Sequence, residues 1–520
     1  MLGHSKPSVR EHPVKSDLSR YKMEKHEPRE LPYTTKSVCP DCHLEDGQIN
    51  VIDAIILEKD GAIWMQKSCE KHGDFEELYW SDPDMFRRVM RYWYETIGLK
   101  NPRTSTKDGC PADCGQCPQH SAHTALGLID PTNRCNMRCP ICFANAAESG
   151  IVYEPTPEQV YDMMANLRSN LPAPCVGLQF AGGEPTLSEH MIQYVQWAEE
   201  LGFRHIMIAT NGIRMANDPE YLKSLVDAGL KTIYLQFDGI SERPYLEARG
   251  KDLREVKDRV LDSARYANLD GVIMVPTVVK GLNDQELGGI IQYALDNRDI
   301  VRCINFQPVS LTGRIDHSER AQMRITTPDA IHLIEEQTRG GIKASDWYPV
   351  SSMMGVGRAL GLLRGVEIFE LHAHFACGMA TFLFIEEDGS YVPITKVVDL
   401  EKLLQTLEDI CNLYAEEKRM AGLRARLKLF GFLRHVKQKA KMKPLISSFL
   451  KSGSYSSLRA FMNKVIMLGM MHFQDCYNLD LERVKHCTIN YATPEGSIIP
   501  FCTYNIFHRP QVEQKFGVAL

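Results

Sequence analysis

Between Thr124 and Val309 the apolar positions gather into six short runs: TALGLID (124–130), VGLQFAGGE (176–184), HIMIATNG (205–212), TIYLQFDG (232–239), GVIMVPTV (271–278) and CINFQPV (303–309). Each run has strand length, and longer stretches separate one run from the next. Helix starts punctuate those stretches. Thr156-Pro157-Glu158-Gln159 and Asn283-Asp284-Gln285-Glu286 have the order of a capping box, and Asp218-Pro219 places proline at a first helical position. Six strand–helix units in series predict an α/β fold, a partial (β/α)6 TIM-like barrel over residues 124–310 with function at the C-terminal strand ends.

The pattern changes on both sides of this block. Upstream, VIDAIILEKDGAIWMQKS alternates apolar and polar positions around Asp60-Gly61, which predicts a hairpin in a small domain over 32–102. Residues 1–31 lack such a pattern and read as a flexible tail, and 103–123 form a separate cysteine segment. Downstream, 311–520 reads as a C-terminal domain with two hairpins, Cys377 to Ile394 turning at Asp388-Gly389 and Cys487 to Cys502. Between the hairpins, residues 418–474 mix cations with Leu, Phe, Ile and Met at roughly helical spacing, a basic amphipathic helical insertion.

Charge sharpens the picture of that insertion. The chain has 520 residues and a net charge of −6, yet Lys418 to Gln474 holds 13 Lys or Arg and no Asp or Glu. The remaining residues carry 47 cations against 66 anions. Such asymmetry predicts an anionic partner, and the apolar interleaving favours a peripheral membrane surface over nucleic acid. No window is apolar for the ~18–20 residues a bilayer span needs, and the first residues lack a signal-peptide apolar core, so a cytoplasmic, peripherally membrane-associated protein is expected.

Sixteen cysteines in short-spaced groups read as metal ligands in such a compartment rather than as disulfides. Cys39-Pro-Asp-Cys42 and Cys69-Glu-Lys-His72 are two ligand pairs of a rubredoxin-like or zinc-ribbon knuckle, suited to one zinc or mononuclear iron. Cys110, Cys114 and Cys117 share the spacing C-x3-C-x2-C with Cys135, Cys139 and Cys142. Three thiolates are one fewer than a [4Fe–4S] cluster needs, so one iron stays open. Only the Cys135 trio directly follows a barrel strand, which makes it the catalytic trio and leaves the Cys110 trio as an auxiliary cluster or a second zinc knuckle. His120 and His123 are nearby candidates for its fourth ligand. Cys175, Cys303 and Cys411 read as small buried hydrophobes.

The loop CNMRCPIC resembles the signature of the radical S-adenosylmethionine (SAM) enzymes, in which the open iron chelates SAM. That resemblance implies further SAM contacts at the strand ends. Gly182, Gly183, Glu184 and Pro185 resemble the motif that holds the amino group; Thr210, Asn211, Gln236 and Asp238 are placed for the carboxylate and ribose, and Ile141 for packing on adenine. Cys377, Cys476, Cys487 and Cys502 resemble the ligand set of a cluster in a SPASM or twitch extension, although Ile394 stands where the first hairpin would carry a second cysteine.

Taken together with DGCPADCGQCPQH and FAGGEPTL, the chain from about Leu31 resembles the archaeal tetraether lipid synthase family. The resemblance implies a radical SAM synthase with three [4Fe–4S] clusters, one of them binding SAM, and a reductant such as ferredoxin or flavodoxin. It implies C–C bond formation between terminal methyl carbons of archaeal ether phospholipid chains. The alternatives are a SPASM-type maturase or a methyltransferase acting on another substrate, and a non-enzymatic multi-cluster electron carrier.

Overall fold

A computed structural model describes residues 18–146, 149–316, 318–366, 370–416, 420–438 and 464–519. Much of the basic insertion, 418–419 and 439–463, lies outside the described residues.

A four-stranded antiparallel sheet opens the fold, with β1 (Tyr33–Val38), β2 (Val51–Lys59), β3 (Ala62–Cys69) and β4 (Gly73–Trp80) in sequential order. Asp60 and Gly61 both adopt positive φ, 52° and 75°, in the predicted hairpin turn. The ribbon is seated on the C-terminal region through Asp480, whose carboxylate accepts bonds from Thr35 at 2.7 Å and Tyr79 at 3.0 Å. The tail expectation extends too far. Tyr21 and Met23 are buried against Met354, Leu404 and Leu407, and the Met23 amide donates to Asn412 at 2.8 Å. A polar neighbourhood hides these two apolar anchors in the sequence.

The large sheet contains all six expected strands: β5 (Leu126–Ile129), β6 (Gly177–Phe180), β7 (His205–Thr210), β8 (Thr232–Gln236), β9 (Gly271–Val275) and β10 (Val301–Pro308). Neighbours pair in parallel in chain order. This is the α/β architecture that the strand–helix series predicts, with a separate antiparallel ribbon before it. Thr156 and Gln159 form the expected capping box, and Asp218 caps Pro219–Ala228 by accepting from the Tyr221 amide. The other expected box does not form: Asn283 bonds instead to the backbone of Asp238, Thr277 and Val279, and the helix begins at Leu287. Asn283 thereby ties two strand-end loops together.

The C-terminal region completes the sheet at both edges. After β11 (Gly378–Ile385), β12 (Val465–Met471) joins β10 in parallel and pairs antiparallel with β11. On the opposite edge, β13 (Ile489–Ala492) pairs in parallel with β5 and forms a hairpin with β14 (Ile498–Pro500). Eight parallel strands therefore run β13-β5-β6-β7-β8-β9-β10-β12. Within the stretch expected to be a helical insertion, VIMLGMM is thus an interior strand. It is short, continuously apolar and mostly buried, which favours a strand over a helix. No helix among the described residues is long and apolar enough to cross a membrane.

Candidate functional site

The strand ends of β5 to β9 converge on the CNMRCPIC loop. The loop is anchored before its first cysteine by Asn133, whose side chain donates to Ile151 O and accepts from the Tyr153 amide, both at 2.9 Å. It is clamped from the other side by residues without any sequence signature. Cys142 and Arg314 exchange backbone bonds of 3.0 and 2.9 Å, and the Arg314 guanidinium donates to the Cys139 carbonyl at 3.1 Å. A Cβ on Gly313 would lie 2.4 Å from the Cys142 carbonyl oxygen, so only glycine fits there. Cys135, Cys139 and Cys142 are all partly accessible, and the nearest charges acting on Cys135 include Glu184 and the other two thiols.

The GGEP turn packs on the same loop. A Cβ at Gly183 would come within 2.1 Å of Arg134 O, and one at Gly182 within 2.5 Å of Thr132 O. Close approach of the two loops, with the Glu184 amide donating to Arg134 O at 2.8 Å, is what the glycines permit. Glu184 is buried, which pushes its carboxyl above the usual range. Four donors hold it: Thr186 N (3.2 Å), Thr186 Oγ1 (2.6 Å), Thr210 Oγ1 (2.8 Å) and Asn211 N (2.8 Å). Pro185 starts the short turn that follows.

Beyond it, Asp238 forms a bidentate pair with Arg249, at 2.8 and 2.7 Å, and Arg249 also donates to Ile141 O at 2.6 Å. Lys257, fully buried, donates to Asn211 O at 2.7 Å and Gln236 Oε1 at 3.2 Å; burial pushes its pKa down to about 7. Asn211, Gln236 and Ile141 stay partly exposed above this buried network, with the Asn211 amide bonded to Asn136 and to the Ile213 N–H and the Gln236 amide to Asp238 and Lys257. Arg249, Lys257 and Arg314 escape a sequence reading because each lies on a helix or loop with no motif around it. An aromatic face adjoins the cysteines: Phe143 lies 5.2 Å from Phe501, which stacks on Phe473 at 4.1 Å. Tyr491 continues the ladder, 5.6 Å from Phe501. The three phenylalanines are partly exposed.

The other cysteines sort into three places. Ligand atoms of Cys39, Cys42, Cys69 and His72 lie within 4.8 Å of one another, a mutual spacing that suits a single ion. His72 Nδ1 is 3.3 Å from Cys39 Sγ, while its Nε2 meets Glu45 at 3.1 Å, the outer partner that orients a ligating imidazole. Cys110, Cys114 and Cys117 line a small pocket with His120, Val484, Lys485 and Pro500. His120 Nε2 is 3.0 Å from Cys487 O, whereas His123 Nε2 accepts from the Glu370 amide at 3.1 Å and is not among the residues lining that pocket. Cys377, Cys487 and Cys502 are electrostatic neighbours near Arg483. Cys476 differs: its strongest such neighbours are Asp475, Lys67 and Arg324, and Lys67 donates to its carbonyl at 2.9 Å. Cys175, Cys303 and Cys411 are buried in the apolar core.

A model of the radical SAM superfamily matches residues 129–294, and a model of the HMPTM N-terminal zinc ribbon domain matches residues 31–81. The 7,8-dihydro-6-hydroxymethylpterin dimethyltransferase of Methanocaldococcus jannaschii is 46% identical over 497 residues, covering 94% of this chain and 96% of its own length. The GTP 3',8-cyclase of Alkaliphilus oremlandii is 26% identical over 51% of this chain and 79% of its own. Among solved structures, Streptococcus suis SuiB bound to S-adenosylmethionine aligns over 42% of this chain and 48% of its own, with a TM-score of 0.31 and 16% identity.

Proposed function

Because the chain belongs to the family of the radical SAM 7,8-dihydro-6-hydroxymethylpterin dimethyltransferases, we propose that it transfers methyl groups to a reduced, hydroxymethyl-bearing pterin. It is a radical SAM enzyme with SAM, [4Fe–4S] clusters and a ribbon metal as cofactors, and like its superfamily it needs a reductant. The expected kinship with tetraether lipid synthases is corrected by two findings: the near end-to-end relative is named for pterin methylation, and the ribbon matches a model of the same name. C–C joining of ether lipids is set aside with it. The methyltransferase alternative fits better.

The single observation carrying this reading is the 46% identity over nearly the full chain. The aromatic face of Phe143, Phe473 and Phe501 supports it, since a flat bicyclic ring gains from stacking beside the radical source. When bound, the cluster would supply the electron that splits one SAM into methionine and a 5′-deoxyadenosyl radical; because that cleavage leaves the methyl on methionine, each transferred methyl must come from a second SAM or another one-carbon donor. Cys135, Cys139 and Cys142 would hold it. Asn211 and Gln236, fixed from below by Lys257, would orient SAM. Glu184 would set the Thr210-Asn211 turn, and the Asp238–Arg249 pair would hold Ile141 over the adenine.

The test is anaerobic incubation of the cluster-loaded protein with SAM, dithionite and 7,8-dihydro-6-hydroxymethylpterin. Methylated pterin should appear together with 5′-deoxyadenosine, and Cys139→Ala should abolish both. Deoxyadenosine formed without any methylated pterin would overturn the substrate assignment.

A further inference from the structure

The helix Ala421–Phe432 has two apolar faces, and among the described residues only one is packed. Ala425 and Leu429 are buried in the cluster of Leu404, Leu407 and Ile410, while Phe432 packs with Val397 and Val465. On the opposite face Met420, Leu423, Leu427 and Phe430 are 62%, 50%, 61% and 58% exposed. Leu423, Leu427 and Phe430, four and three residues apart, align in one stripe on the helix, and Met420 caps its start. Three large apolar side chains so aligned are a contiguous patch rather than scattered surface residues.

The charge around the stripe selects its occupant. Arg424 and Arg426 flank it on the helix, and Arg434 and Lys437 follow within two turns. Lys428 is paired with Asp409 at 2.7 Å on the inner side. From Lys418 to Gln474 the sequence has no acidic residue. A protein partner with an apolar patch would not require that exclusion, and a nucleic acid would not require the aliphatic stripe. An anionic bilayer surface matches both, with apolar side chains entering the headgroup boundary and cations meeting phosphates. We infer that the outer face of Ala421–Phe432 is a docking surface for anionic lipid membranes. Phosphate groups are its recognised chemistry, and the inference is independent of the pterin reading.

The experiment is co-sedimentation of the full-length, cluster-loaded protein with vesicles of phosphatidylcholine alone or with one-third phosphatidylglycerol. Binding is expected only to the anionic vesicles, and weaker at 0.5 M salt, since exposed charges are screened over about 10 Å already at 0.1 M. Leu427→Glu/Phe430→Glu should lose at least about tenfold in binding, or ~1.4 kcal/mol, with SAM cleavage unchanged because neither residue is in the site. Equal binding of the double variant and the parent would overturn the inference, as would equal binding to neutral vesicles or none to either. A shift in sedimentation velocity from dimer to monomer in the double variant, without lipid binding by the parent, would assign the stripe to a second copy of this chain.

Discussion

Lys257 is a buried lysine placed where it can fix two groups of the strand ends at once, because its amino group bridges Asn211 O and Gln236 Oε1. An intramolecular hydrogen bond contributes roughly 0.5–1.5 kcal/mol. Lys257→Met is therefore expected to raise the KM for SAM about tenfold, with iron content and the visible cluster absorbance unchanged. Loss of clusters in the variant would show that Lys257 is needed for folding rather than for holding SAM. Gly183→Ala tests the contact between motif loops. Its methyl would sit 2.1 Å from a backbone oxygen, so it should cost roughly 1–3 kcal/mol and lower cluster occupancy. The sequence displays both glycines and all three cysteines of the SAM loop, because a motif is a local string. It hides Lys257, Arg249 and Arg314, because their roles exist only once distant helices and loops are brought against the strand ends.

Among elements, the six barrel strands and the ribbon hairpin are legible because each is a short apolar or alternating run bounded by turn residues. The strand Val465–Met471 is not, since it lies within the acid-free stretch and shares its mixture of Met, Ile and Leu; only pairing with Val301–Pro308 reveals it. The capping sequence at Asn283 shows the opposite failure, a correct local signal overruled when the side chain finds better partners across the barrel. Substrate identity belongs to this scale too. The radical-forming elements are common across the superfamily, while the aromatic face beside them joins Phe143 to Phe473 and Phe501, far apart in the chain. Two element-level changes follow. Gly431→Ala, with no atom within 4 Å of the added methyl, should stabilise the helix Ala421–Phe432 by roughly 0.5–1 kcal/mol, read as a higher urea midpoint. Cys69→Ser should release close to one equivalent of zinc or iron while SAM cleavage persists, since the ribbon holds its ion apart from the radical loop.

At the scale of the whole molecule, the interior holds several histidines that stay neutral. Burial pushes His123 down to about 4 and His472 to about 3, and drives His372 well below its ordinary value. The rings of His123 and His372 lie 4.9 Å apart; the Arg358 cation opposes protonation of His372, and Glu370 stands 4.0 Å away. A base whose folded pKa is depressed contributes stability above its unfolded pKa, near 6.5, and loses it as pH falls toward the folded value. The urea midpoint should therefore drop steeply between about pH 6.5 and pH 4, and His372→Leu should make that drop shallower. An unchanged pH slope in the variant would mean that His372 is already protonated in the folded protein.

The placement of β12 and β13 at opposite ends of the run of eight parallel strands has a consequence for how the protein is made. Ile489–Ala492 pairs with Leu126–Ile129 across some 360 residues of sequence, and that pairing cannot form until those intervening residues have left the ribosome. Such long-range pairings form slowly. During synthesis the Cys110 trio is thus present well before Val484, Lys485 and Pro500, which wall its pocket, so the three thiols stay open to solvent for most of the time the chain is being made.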